Sequence, residues 1–234
     1  MRLLITPAVL LLCALQANAQ EPNEAEKHFR AMEKKLADAD TVQITASGSQ
    51  KLGGKKKIEV PVRGTVLLAK GNKARVDFTS GSVGPGSFVY ASVSDGEMLL
   101  RKVKIGGIKG ENVSRQENPK NANALLTGII SRAGLTHGAS YLKLGDNQAP
   151  PELDDLLPVS DFAMGKLEKV GKRMAQRIDY KLEKFDAQVW LDSETDLPLK
   201  RTIMSPDKIQ YFSTETCEIR IDAKIEGKKF VLPK

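Results

Sequence analysis

Cysteine, histidine and aromatic residues are all scarce in this 234-residue chain: it has two cysteines, two histidines and one tryptophan, and aromatics make up 5%. Cys13 lies in an N-terminal apolar run, so Cys217 stands alone downstream of it. Neither an intramolecular disulfide nor a cysteine metal cluster can then form, and stability must come from a core. Cys217 itself, on an apolar strand face, reads as a small buried hydrophobe. The histidines are not in a metal-binding spacing such as H-x-x-x-H. His28 falls on the polar flank of a helix, and His137 is expected at a loop or helix surface. No G-x-S-x-G elbow follows a strand and opens a helix. The stretch "SGSVGPGS" (80–87) lacks the Lys-Ser/Thr end and the following helix of a phosphate loop. Asp154, Asp155, Asp192 and Glu194 fall in turns, where solvation accounts for them. No catalytic residue, no metal ligand and no cofactor is expected, and the chain does not read as an enzyme.

A long membrane-spanning run is also lacking. The one apolar stretch, "LLITPAVLLLCALQ", follows Met1-Arg2 and ends at the small-x-small triplet "ANA" (17–19). That is the layout of a secretory signal peptide cleaved near Ala19, and it is too short to span a bilayer. Cys13 invites a lipoprotein reading, but Leu12 stands where lipid attachment requires a small residue. The expected organisation is a signal peptide over 1–19 and a single domain over 20–234. The product is expected to be exported, periplasmic and monomeric, without stable membrane insertion.

The charge balance is basic, 36 Lys+Arg against 29 Asp+Glu. Such an excess favours polyanions or anionic lipid. The positives are scattered, however, and the aromatics do not interleave with them, so a stacking platform for nucleic acid is not supported.

Residues 22–39 carry the clearest helical signal. Ala25, Phe29, Met32 and Leu36 recur at spacings of four, three and four, with acidic residues in the first turn. Strand-like alternation follows, punctuated by "LGGKKK", "KGN" and the strong turn Asp95-Gly96. Helical spacing returns at Leu125, Leu126, Ile129, Ile130 and Ala133. Gly134 is expected to stop that helix, with a short second one after it and another turn opened by Pro151. Five more strands close the chain. The expected fold is mainly β (α+β): an unclosed antiparallel barrel, or strongly curved sheet, of about ten strands. The N-terminal helix and a mid-chain helical lid cover its concave face. In the hairpin "VWLDSETDLPLKRTI" (189–203), alternation turns Val189, Leu191, Leu199 and Ile203 inward and Trp190 outward. Arg201 then also points inward, which requires either a bulge or a place at the barrel mouth.

These features together resemble the LolA-like periplasmic lipoprotein carriers, most closely their exported relatives in Planctomycete-type bacteria. The resemblance rests on the leading amphipathic helix, on "RGTVLLAKGNKARVDF", on "VSDGEMLL", on the mid-chain helices, on "VWLDSETDLPLKRTI" and on the closing "KKFVLPK". It spans essentially the whole chain after the signal segment. It implies a barrel whose interior holds a lipid or lipoprotein acyl chain, and envelope transport partners. In that family an arginine, then proline and asparagine, in the first hairpin turn tether the lid. Here Lys70-Gly71-Asn72 takes that place, which makes Lys70 the candidate tether although it lacks the planar fork of arginine.

The candidate cavity lining is Phe29, Met32 and Leu36 from the first helix and Leu126, Ile129 and Ile130 from the lid. Val66, Leu68, Val76, Phe78 and Leu99 complete it from the strands. The alternative is a non-enzymatic envelope protein in which these side chains simply form the core and the basic surface meets the partner.

Overall fold

The computed structural model describes residues 23–53, 58–82, 87–139, 141, 152–207 and 211–233. The signal segment, Pro22, the "KKK" at 55–57 and Pro151 lie outside them. Helix α1 (Glu24–Asp38) starts where Asn23 caps it: its Oδ1 accepts the Glu26 N–H at 2.9 Å, with Glu24 and Glu26 in the first turn. That satisfies one of the donors a helix start leaves unpaired, and places negative charge at the positive pole of the dipole. Its buried residues are Ala25, Phe29, Met32 and Leu36, the stripe the spacing predicts.

Eleven antiparallel strands form one sheet: β1 (Thr41–Leu52), β2 (Ile58–Ala69), β3 (Lys73–Ser80), β4 (Phe88–Ser94), β5 (Met98–Ile105), β6 (Asn112–Glu117), β7 (Val159–Val170), β8 (Arg173–Leu182), β9 (Phe185–Asp192), β10 (Pro198–Met204) and β11 (Tyr211–Ile221). Their order is β6-β5-β4-β3-β2-β1-β11-β10-β9-β8-β7. The first and last strands therefore meet at the centre. Two meanders run outward from that seam, and the edges β6 and β7 do not pair, so the barrel is unclosed.

This topology dictates where the helical segment lies. The chain leaves the sheet at one edge, β6, and must re-enter at the other, β7. The crossing carries α2 (Ala122–Gly138) and α3 (Leu153–Leu156). Helix α2 packs on β1, β2, β10 and β11, while α1 packs on β7, β8 and α2. Gly64 on β2 permits the approach, because a Cβ there would stand 2.7 Å from a Leu135 methyl.

The strand beyond the expected ten is β6. Five of its six residues are exposed, so no apolar alternation marks it. Its pairing with β5 is carried by the backbone ladder.

One main core joins α1, α2 and the concave face of the sheet. Val189, Leu191 and Ile203 lie in it, as alternation predicts. Leu199 does not. The β9–β10 register shifts between Pro198 and Lys200, and the extra residue turns Leu199 outward to cluster with Ala175 and Trp190. Trp190 thus has a small second core of its own on the convex side. Its Nε1 donates to Glu168 at 2.6 Å, and Lys200 lies over its ring at 4.3 Å.

Phe29 is the keystone of the main core. Its ring lies 5.1 Å from that of Phe162 and 4.8 Å from that of Tyr180, with no solvent exposure. Phe29→Ala is expected to cost about 3–5 kcal/mol, the range for truncating a fully buried aromatic, read as a lower urea midpoint at unchanged slope.

Candidate functional site

A broken helix lies at the centre of the concave face. Gly134 has φ 68° and ψ 179°, and interrupts α2 four residues before its end. A break exposes carbonyls on one side and N–H groups on the other, and each set needs a partner when buried. Two side chains from the sheet supply both. Arg201 on β10 donates to the carbonyls of Ile130 at 2.7 Å and Ser131 at 2.6 Å. Glu215 on β11 accepts from the N–H groups of Thr136 at 2.7 Å and Leu135 at 3.3 Å. The two charges lie 3.9 Å apart and are buried. The cation therefore faces the negative end of one helical piece, and the anion faces the positive end of the next. Arg201 is accordingly neither displaced by the bulge nor placed at a mouth: it lies inside, under the helix. Gly134 is required twice over, since a Cβ would sit 2.0 Å from Glu215 Oε1 on a backbone with positive φ.

A second arginine binds the helices to one another. Arg132 is buried, and its Nε donates to Glu33 of α1 at 2.7 Å. Its Nη1 donates to the Leu157 carbonyl at 2.9 Å and pairs with Asp154 at 2.6 Å. The Tyr180 hydroxyl donates to the Arg132 carbonyl at 2.5 Å. Among the turn carboxylates, Asp154 is thus exposed but paired, while Asp192 is buried and accepts from Arg173 and Thr195, both at 2.8 Å.

The turn after β2 fixes the start of α2. Lys70 makes its ion pair with Asp40, at the α1–β1 junction. The hydrogen bonds to the helical segment come from Asn72 instead. Its Nδ2 donates to the Pro119 carbonyl at 2.6 Å, and its Oδ1 accepts the Asn123 N–H at 3.0 Å. Asn123 Nδ2 returns two bonds, to the carbonyls of Ala69 and Lys73, both at 2.9 Å. Asn72 adopts φ 60°, a conformation asparagine tolerates better than most side chains.

Most of the sequence-selected lining residues come together. Phe29, Met32, Leu36, Val66, Leu68, Val76, Phe78, Ile129 and Ile130 belong to the main core, and Leu126 packs against it half-buried. Leu99 shares the concave face through its pairing with Ser94, yet lies outside that cluster. A cleft of about 590 Å³ opens between the end of α1, the first half of α2 and the β2–β3 turn. Leu36, Val42 and Leu68 line it from the core side. Lys34, Asp38, Lys120 and Asn121 form part of the rim. Lys34 is paired with Asp38 at 2.6 Å.

Near the other end of α2, His137 is buried rather than on a surface. Its Nδ1 lies 2.9 Å from the Tyr211 hydroxyl, and the rings of Tyr141, Phe185 and Tyr211 surround it at 5.2 to 5.9 Å. Burial, with Arg201 nearby, pushes its pKa down to about 4. Burial likewise pushes the Cys217 thiol up to about 12, and its Sγ donates to the Pro198 carbonyl at 3.0 Å, so it is an inert thiol rather than a nucleophile. Among the described residues no group of three or more His, Cys, Asp and Glu side chains could hold a metal.

No family model matches the chain, and no curated protein does. Solved structures do. The chain is similar to LprF from Mycobacterium bovis, at 10% identity over 87% of this chain and 95% of that one, with a TM-score of 0.46. It is similar to a putative outer membrane lipoprotein-sorting protein domain from Vibrio parahaemolyticus, at 13% identity over 88% and 97%, TM-score 0.37. It is also similar to a LolA superfamily protein from Nitrosomonas europaea, at 11% identity over 90% and 99%, TM-score 0.34.

Gly134→Ala should destabilise the protein by about 3–5 kcal/mol, because it combines backbone strain with disruption of a buried charge pair; chemical denaturation measures it. His137 generates a pH dependence. Its folded pKa lies below the ordinary 6.5, so the unfolded chain binds the proton more readily between about 4 and 6.5. The stabilisation is complete above pH 6.5 and is lost as pH falls towards 4, by about 3 kcal/mol in total. In a pH series of unfolding curves, His137→Gln should remove that slope.

Proposed function

We propose that this protein is an exported carrier or binding protein for an apolar chain, such as a lipid or lipoprotein acyl group, held between the concave sheet face and the α1/α2 layer. The observation that carries this reading is the cleft between α1 and α2. Its floor of Leu36, Val42 and Leu68 is continuous with the main core, and its rim is polar. Its volume lies within the range of small-molecule sites, roughly 300–1,000 Å³. A fatty chain entering there meets apolar surface at once, while its polar head stays among Lys34, Lys120 and Asn121.

In the arrangement described, Phe29, Met32, Ile129 and Ile130 fill the space under the helices. Uptake of a full chain therefore displaces part of the helical layer. The energetic scale permits it. Each methylene removed from water contributes about 0.8 kcal/mol, so a chain of about twelve carbons supplies close to 10 kcal/mol before association costs. The polar attachments of α2, at Asn72, Arg132 and Arg201, fix where the layer returns to. No catalytic role is assigned to any of these residues.

A second reading is favoured by the complete burial of Phe29 and Met32. In it the barrel is packed solid, and the protein acts through its surface as a non-enzymatic component of the envelope.

Native mass spectrometry of the purified protein, together with displacement of a fluorescent fatty acid, separates the two. The carrier reading expects co-purified lipid and saturable probe uptake. Ile129→Asp should weaken uptake at least tenfold, while Lys172→Gln, on the exposed β7–β8 turn, leaves it unchanged. No uptake by the folded wild-type protein, or equal behaviour of the two variants, supports the packed scaffold instead.

A further inference from the structure

The convex face carries a second cleft, of about 800 Å³, whose chemistry differs from the first. Its floor is a single row across five strands. Ser47, Arg63, Thr79, Val89 and Lys104 are successive register partners from β1 to β5. Three strand spacings separate Arg63 from Lys104, about 14 Å between their backbones. Arg63 Nε donates to Thr79 Oγ1 at 3.3 Å, which holds the guanidinium along the row. Among the described residues the lining contains further serines and Gly106 and Gly107, and no carboxylate. The α1/α2 cleft, by contrast, is lined by Glu33, Asp38 and Asp40 among its cations.

Beside this cleft stands the β5–β6 hairpin, and its apolar residues are uncovered. Ile108 is 62% exposed and Val113 52%, and Val89 on the adjoining β4 is 40% exposed. Lysines are set among them: Lys104 pairs with Val89 in the register, Lys102 with Val113, and Lys109 follows Ile108. Apolar side chains exposed at a hairpin and set among Lys102, Lys104 and Lys109, which outnumber the single turn carboxylate Glu111, next to a pocket lined by hydrogen-bond donors, suit a surface that is apolar beneath and anionic above.

We propose that this wing of the sheet docks on an anionic lipid bilayer. Ile108 and Val113 enter the headgroup boundary, and a lipid phosphate lies between Arg63 and Lys104. The surface is on the convex face, away from α1 and α2, so the inference stands independently of whether the concave face holds a ligand.

The test is sedimentation of the full protein with phosphatidylglycerol vesicles and with phosphatidylcholine vesicles, at low and high salt. Wild type should partition onto phosphatidylglycerol at least tenfold more strongly, with the difference shrinking in high salt. The double variant Arg63→Gln/Lys104→Gln should lose about tenfold or more, and Ile108→Asp a similar amount, each with an unaltered unfolding midpoint. Lys172→Gln should stay within twofold of wild type. Equal partitioning onto the two lipids overturns the proposal, as does an equal loss in Lys172→Gln, which would reflect net charge alone. Chemical shifts at Arg63 and Lys104 on adding inorganic phosphate, without vesicle binding, would also overturn it in favour of a soluble phosphate ligand.

Discussion

The arrangement of this molecule depends on one buried contact: Arg201 and Glu215, side by side under the break in α2. A pair of buried charges is weak evidence for stability in itself, because removing both from water costs several kcal/mol. Here the compensation is extensive, although the buried Arg201 Nε has no hydrogen-bond partner among the described residues. Each charge meets the other, and each also meets two backbone groups that the break would otherwise leave unsatisfied. The sheet thus specifies both where α2 lies and where it must bend. A continuous helix would leave both side chains buried without their backbone partners. The pair reads as a registration device more than as a source of stability.

Around that contact the two faces of the sheet differ in character. The concave face is largely apolar and covered by α1 and α2, with polar anchors where helices must be held, among them Asn72 at the start of α2, Arg132 between the helices, and Arg201 and Glu215 at the break. The convex face is polar, with its own minor core at Trp190 and an uncovered basic and apolar wing at β4 to β6. Such a division leaves the side chains of each face unconstrained by those of the other.

Much of this was legible in the residues, and the exceptions have physical reasons. The α1 stripe, the hairpin turns and the lid segment all follow from periodicity and turn chemistry, since the elements that bury one face must alternate with it. Strand β6 was invisible because both its faces meet solvent and only backbone pairing defines it. Leu199 was placed on the wrong face because a bulge inserts one residue, and a strand's facing inverts with every single-residue slip. His137 lacked any local signal of burial, which comes from Tyr211 and Phe185, distant in sequence. Arg132 did carry a signal. A charged residue inside "IISRAGL", two positions before a glycine, is costly on an apolar helix unless it has partners waiting. The partners, Glu33, Asp154 and the Leu157 carbonyl, could not be found from spacing alone.

The seam between β1 and β11 has a temporal meaning. The first strand cannot find its second neighbour until the last strand exists, and a bond between Ser47 and Thr216 spans 169 positions. Contacts of that separation make folding slow and leave strand edges open in the meantime. A chain built this way stays threadable for as long as its far end is withheld, and seals only once its whole length has been delivered.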